Sequence, residues 1–325
     1  MNHKREGAVA RNCNSCYRES DPMHIPDGFL STGVYAATGA ASSVGVLWMA
    51  RRAQAEMEES RAPLLGVMGA FVFAAQMINF PVGAGSTGHL LGGALLAFTL
   101  GPASAVVTMT AILAVQALVF QDGGVLALTA NVFNMALAGT LAAYLPYRLL
   151  GGTGSRTLAV FSGAAASVLV CALLALGELW LSGVPMPRVL LGVSLGLFTV
   201  NAVLEGIITV GVIQALQTLN PGWIRGTPKS MRGPALAAVA LAAVLVATGG
   251  VWFASAEPDG LERLAENLGI GSRAKALFAA PLAGYDARFF TNGWLNTAAA
   301  GVLGLVLVFG AVLAFSRASA RRKGA

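Results

Sequence analysis

Residues 158–182 read LAVFSGAAASVLVCALLALGELWLS, a run that holds neither Lys nor Arg. As a helix rising about 1.5 Å per residue, it is long enough to cross a hydrocarbon layer of about 30 Å. Outward from it, further apolar runs fall at 30–50, 63–80, 89–101, 103–120, 127–147, 189–216, 235–254 and 294–316. Most are long enough to span; 89–101 is not, and reads as a partial or tilted helix. Hydrophobic residues make up 56% of the chain, charged residues 11%, and the mean hydropathy is +0.69. Water-soluble domains carry about a quarter charged residues, so the composition points to a membrane protein. The fold class is therefore all-α: a polytopic membrane helix bundle of about seven helices, followed by a two-helix accessory part with an external loop.

The formal charge of +6 does not indicate nucleic acid, because the basic residues collect in the breaks between spans. With residue 23 outside, the inner segments hold Arg51, Arg52, Arg61, Arg148, Arg156, Arg225, Lys229, Arg232, Arg317, Arg321, Arg322 and Lys323. The outer segments beyond residue 23 hold only Arg188, Arg263, Arg273, Lys275 and Arg288. That bias sets the orientation, with residue 23 external in a plasma or inner membrane. Asn220-Pro221-Gly222 stops a helix and begins a basic loop with Pro228 and Pro234. The chain thus divides into an extension (1–22), a membrane part (23–217), a cytoplasmic linker (218–234) and an accessory part (235–325). Within the first span, Gly33, Ala37, Ala41 and Gly45 form a strip of small residues, suited to helix packing inside the chain or to docking a membrane partner.

Three histidines are present: His3, His24 and His89. A chain beginning at Met23-His24 offers a terminal amine, the His24 amide nitrogen and its imidazole, which close fused five- and six-membered chelate rings. An imidazole from elsewhere, here His89 in Ser86-Thr87-Gly88-His89, fills a fourth corner. Four nitrogens in a plane suit Ni(II) or Cu(II) better than Zn or Mg. The reading requires a free amine at Met23, so residues 1–22 are expected to be a removed leader or a start assigned too early. Ile25-Pro26-Asp27-Gly28 reads as a tight turn with Pro26 at the first central position, and Ser31 as the N-cap of the first helix. Imidazoles bound to metal need their other nitrogen hydrogen-bonded; Gln76, Asn79, Gln116, Asn131 and Asn134 are candidates, each equally able to be polar glue between helices. Glu205, mid-helix, is a candidate for proton relay or coupling, or a structural carboxyl. Glu178 is expected to reach water at the outer interface, and Asp122 to be an external turn residue or, as the lesser alternative, one that attracts cations.

Other chemistries lack their residues. There is no GxxxxGK[ST] to cradle ATP phosphates, no HExxH and no Gly-x-Ser-x-Gly with a partner His. Cys13 and Cys16 share a CxxC spacing without a second pair, and three cysteines make no disulfide framework.

Met23-His24-Ile25-Pro26-Asp27-Gly28-Phe29-Leu30, Ser86-Thr87-Gly88-His89-Leu90-Leu91-Gly92-Gly93, Asp122-Gly123-Gly124, Ala130-Asn131 and Asn134-Met135 resemble the CbiM/NikM family. These are the substrate-capture (S) components of energy-coupling-factor transporters for cobalt and nickel. Pro258-Asp259-Gly260-Leu261-Glu262 resembles the PDGLE-type accessory N component, here fused behind the M part. The resemblance implies an S-component-like bundle that captures Ni2+ or Co2+ outside through Met23, His24 and His89. It also implies a separate transmembrane coupling (T) component and ATPase (A) subunits as partners, with no organic cofactor. One departure is Gln121, where the family more often has Gly. The expected function is thus a transport subunit rather than an enzyme, with nickel favoured over cobalt. Two other readings remain open: an ion-coupled secondary metal transporter with Glu205 as proton carrier, and a membrane enzyme or metal chaperone using Cys13 and Cys16.

Overall fold

A computed structural model describes residues 24–56, 59–150, 156–220, 233–255 and 257–323. Met23, Cys13, Cys16 and most of the linker lie outside the described residues. In chain order the elements are α1 (Thr32–Glu56), α2 (Ala62–Gln76), a hairpin of β1 (Phe80–Gly83) and β2 (Ser86–Gly88), and α3 (Gly93–Leu100). Then follow α4 (Pro102–Phe120), α5 (Leu128–Leu150), α6 (Arg156–Leu181), α7 (Arg188–Leu219), α8 (Pro234–Trp252), the short α9 (Gly260–Asn267) and α10 (Gly293–Lys323). Seven of these, α1, α4, α5, α6, α7, α8 and α10, are long and apolar enough to cross a membrane.

The two shorter runs differ from the rest for local reasons. The run at 63–80 stops being helical at Gln76, because Pro81 removes an amide donor and disfavours helical backbone at Phe80. The run at 89–101 splits into an extended stretch carrying His89 and the eight-residue α3, all of it buried. Such broken helices are tolerated at membrane depth only where protein surrounds them. Gly92 opens α3 at φ 73, a left-handed value, and a Cβ there would run into Val72.

Twelve of the fifteen α2 residues are buried, because α8 and α10 cover one side and α4 another. Gly304 of α10 lies directly on Phe73, and a Cβ on Gly69 would come within 2.9 Å of Thr108. Helices approach this closely where small residues line the contact, since van der Waals packing has to replace the hydrophobic drive in lipid. On α1 the inward face is Thr38, Ser42, Met49 and Ala53. The strip of small residues is turned outward: Gly33, Ala37 and Ala41 are exposed, and only Gly45 meets a neighbour, Leu137. Ser31 Oγ accepts the Val34 amide at 3.4 Å, the N-cap bond expected for α1.

Between α8 and α10 the accessory part crosses one end of the bundle as a strap. Its helix α9 turns Leu261, Leu264 and Ala265 inward, spacings that share one helical face, onto Ile25, Phe29, Leu30 and the C-terminal end of α6. Two stretches wind with π-helical geometry, Gln116–Phe120 at the end of α4 and Val132–Gly139 in α5. They carry Gln116 and Asn134, in keeping with the frequency of π turns near functional groups.

Candidate metal centre

The N-terminal segment enters the bundle as extended chain, and its backbone is held group by group. Asn131 grips Ile25 with both ends of its amide, accepting from Ile25 N at 3.1 Å and donating to Ile25 O at 3.1 Å. Asp27 accepts from Val125 N at 3.0 Å and Ala127 N at 2.8 Å, which ties the segment to the loop before α5. The turn centres on Asp27-Gly28, one residue later than expected, with Gly28 at φ 95. Only glycine fits: a Cβ at that position would enter the Arg273 carbonyl of the strap.

His89 follows the hairpin, which the strap also fastens. Thr87 N donates to Pro258 O at 2.9 Å, Thr87 Oγ1 to Glu257 O at 2.9 Å, and the Arg263 guanidinium to Gly85 O. Beyond His89, the two Glu205 oxygens accept from Leu91 N at 2.8 Å and Gly92 N at 3.0 Å. Asn201 Nδ2 donates to His89 O at 3.4 Å.

These two pieces of backbone bring His24 and His89 together, 3% and 7% exposed, with ring centroids 5.7 Å apart. Both wall a cavity of about 90 Å³ that Asn131, Asn134, Cys171, Asn201 and Asp259 also line. His89 Nδ1 bonds its neighbour's carbonyl, Leu90 O, at 3.1 Å, which makes Nε2 the nitrogen that carries the ring's lone pair. His24 Nδ1 lies 2.9 Å from Asp122 Oδ1, and its Nε2 has no hydrogen-bond partner. Among the described residues no group of three or more His, Cys, Asp or Glu is placed to hold a metal ion. A cation between these rings therefore needs donors of another kind.

Asp122 is not an exposed turn residue; it is buried at 4% exposure between His24 and Tyr285 of the strap. Burial works to raise its pKa, but the charge and hydrogen bond offered by His24 and the Tyr285 hydroxyl outweigh that and hold it below its ordinary value. Glu178 is likewise not in water: it is 6% exposed, and Asn134 Nδ2 donates to it at 2.9 Å. Gln116 and Gln76 stand one step further out. Gln116 Nε2 donates to Gln76 Oε1 at 3.1 Å, and Gln76 Nε2 to Leu91 O at 2.8 Å. Asn79 does not wall the cavity; its carbonyl accepts from Ser255 N at 2.9 Å.

Sequence reasoning missed Asp122, Asp259 and Tyr285. One signal for the first lay beside it, because Gln121 holds a left-handed φ of 57 and its Oε1 accepts from Ala280 N at 3.2 Å. The pattern Asp259-x-x-Glu262 was a second signal. Asp259 Oδ1 caps α9, accepting from Leu261 N at 2.8 Å and Glu262 N at 2.7 Å.

A solved structure described as a truncated transition metal transporter shares the fold with a TM-score of 0.54 at 32% identity, over 60% of this chain and 98% of that one. Together with seven apolar spans, this places the chain in the class of multi-pass membrane transport proteins for transition metals. Residues 24–223 match the family described as "Cobalt uptake substrate-specific transmembrane region", and the chain belongs to it; residues 233–321 match the PDGLE domain. A fused nickel transport protein NikMN of Rhodobacter capsulatus is 30% identical over 93% of this chain and all of its own length. A putative NikMN of Archaeoglobus fulgidus is 30% identical over 91% of this chain and 98% of its own. A cobalt transport protein CbiM of Thermosediminibacter oceani is 39% identical over 49% of this chain and 69% of its own.

Proposed function

We propose that this chain is the ion-capturing subunit of an ATP-driven energy-coupling-factor importer for Ni2+ or Co2+. It takes the ion at the external face of the cell membrane and relies on a separate coupling component and ATPase subunits. The membrane part at 23–217 binds the ion, the linker at 218–234 lies inside, and the accessory part at 235–325 supplies the strap. The outward strip of Gly33, Ala37 and Ala41 is the surface offered to the coupling component. The relatives that match nearly the whole chain are named for nickel transport, which supports nickel as the first choice of cargo.

The observation that carries this reading is the pair of buried imidazoles, far apart in sequence and 5.7 Å apart in space. In the proposed set, the Met23 amine, the His24 amide nitrogen, His24 Nδ1 and His89 Nε2 surround the ion, a planar arrangement favouring Ni(II). Capture through Nδ1 exchanges the hydrogen bond to Asp122 for a metal bond and leaves the carboxylate charge beside the cation. Glu205 serves as an anchor here: with both oxygens on the Leu91 and Gly92 amides, it fixes the chain just beyond His89.

The test is Ni2+ titration, by calorimetry, of a chain that begins at Met23, whose amine is then free. His24→Ala and His89→Ala are each expected to weaken binding at least about a hundredfold, in line with losing a metal ligand rather than an outer contact. Unchanged affinity in either variant would overturn the reading. Uptake into vesicles by this chain without any ATPase would instead establish the secondary-transporter alternative.

A further inference from the structure

We infer that Tyr285, on the accessory strap, is a positioning residue that fixes the Asp122 carboxylate, the charge left beside the ion once His24 binds it. The inference rests on the reading of His24 as a ligand. Its basis is how the Asp122 carboxylate is divided: Oδ1 faces His24 Nδ1 at 2.9 Å, and Oδ2 accepts the Tyr285 hydroxyl at 2.6 Å. A carboxylate turns about one bond. Fixing one of its oxygens fixes the other, and with it the place of the charge that remains when His24 Nδ1 turns from Asp122 to the ion.

The phenol is itself held firmly enough to set that angle. Its ring stacks on Phe120 with centroids 4.7 Å apart and 21° between planes, and Phe73 packs beside it at 6.2 Å. Gln116 Nε2 donates to the hydroxyl oxygen at 3.4 Å, so the hydroxyl proton is left for Asp122. Burial, and then the Asp122 charge, keep the phenol well above its ordinary pKa, so it remains a donor. The backbone is anchored as well: Leu282 N donates to Val119 O at 2.9 Å, and Tyr285 N to Leu282 O at 3.0 Å. Tyr285 sits at φ 57, a left-handed value uncommon for an aromatic residue, and such conformations persist where surroundings over-determine them. Packing alone accounts for the ring and not for the hydroxyl, since a phenylalanine would fill the same slot.

The strap reaches the other imidazole too, through Pro258 and Thr87. The accessory part therefore holds both ligand-bearing segments, and at Tyr285 one of its side chains bonds the carboxylate that stays beside the ion.

The experiment is a double-mutant cycle on a chain that begins at Met23, read by Ni2+ calorimetry and by the ligand-field absorption of the bound ion. Tyr285→Phe keeps the stacked ring and removes the hydroxyl. It is expected to weaken Ni2+ binding about tenfold, the low end for an outer-shell contact, and to move the absorption band. Asp122→Ala is expected to do at least as much, and adding Tyr285→Phe to it should change nothing further. Wild-type affinity and spectrum in Tyr285→Phe, or losses that add independently in the double variant, would overturn the inference. His24→Ala in the same assay separates the two failures. If it also binds normally, the metal-site reading falls; if it alone loses binding, only the role of Tyr285 falls.

Discussion

Gln121 shows how one residue pays its own way in this site. Its left-handed backbone, φ 57, is disfavoured for a side chain by about 1–2 kcal/mol. Its Oε1 accepts the Ala280 amide of the strap, a bond that contributes about 0.5–1.5 kcal/mol. Gln121→Ala keeps the strain and loses the bond, whereas Gln121→Gly loses the bond and relieves the strain. The alanine variant is therefore expected to be less stable than the glycine variant by about 1 kcal/mol. Thermal melts of the two in detergent check this, and equal melting temperatures would refute it. His24 and His89 were legible in the sequence because histidine is rare in this chain and both stand beside glycine-rich turns. Asp122 and Tyr285 were not: 163 positions separate them, and no spacing rule links a turn aspartate to a tyrosine so distant.

Among the elements, α9 and the hairpin meet at Asp259, whose carboxyl is pushed up to about 6 chiefly by burial and against the two amides it caps. A carboxyl whose pKa is higher folded than unfolded favours the fold in its protonated form. That contribution is present below about pH 4 and is lost as pH rises to about 6. Asparagine caps a helix about as well as aspartate but carries no charge. Relative to Asp259→Asn, the wild-type chain is thus expected to lose on the order of 2–3 kcal/mol between pH 4 and pH 7. Melting curves of both proteins across that range give the comparison; parallel profiles would rule it out. The long helices could be read directly from apolar run length. The hairpin and α3 could not, because the 63–80 and 89–101 runs are apolar throughout and only Pro81 and Gly92 mark where helical geometry gives way.

On the scale of the whole molecule, α2 joins the two parts, with α8 and α10 on one side and the rest of the bundle on the other. Lipid offers apolar surface as readily as these helices do, so the association rests on close packing at Gly69 and Gly304 and on the strap's hydrogen bonds. A protease site placed within residues 221–232 and cut after purification should leave both fragments co-eluting in detergent; their separation on size exclusion would contradict this arrangement. The order of parts was visible in the sequence, in the break at Asn220-Pro221-Gly222. The strap's lie across the histidines was not, because it depends on backbone pairing between Thr87 and Pro258 that no side-chain pattern announces.

The strap's place near the carboxyl end also sets a clock. A ribosome adding about 5–20 residues per second needs roughly 10–40 s to travel from the second histidine to Tyr285. Throughout that interval the nascent bundle stands roofless in the bilayer, its cavity lacking the wall that Asp259, Gly260 and Leu261 supply. That wall arrives only as translation ends, so an enclosed cavity is a property of finished chains, and truncated products are born without it.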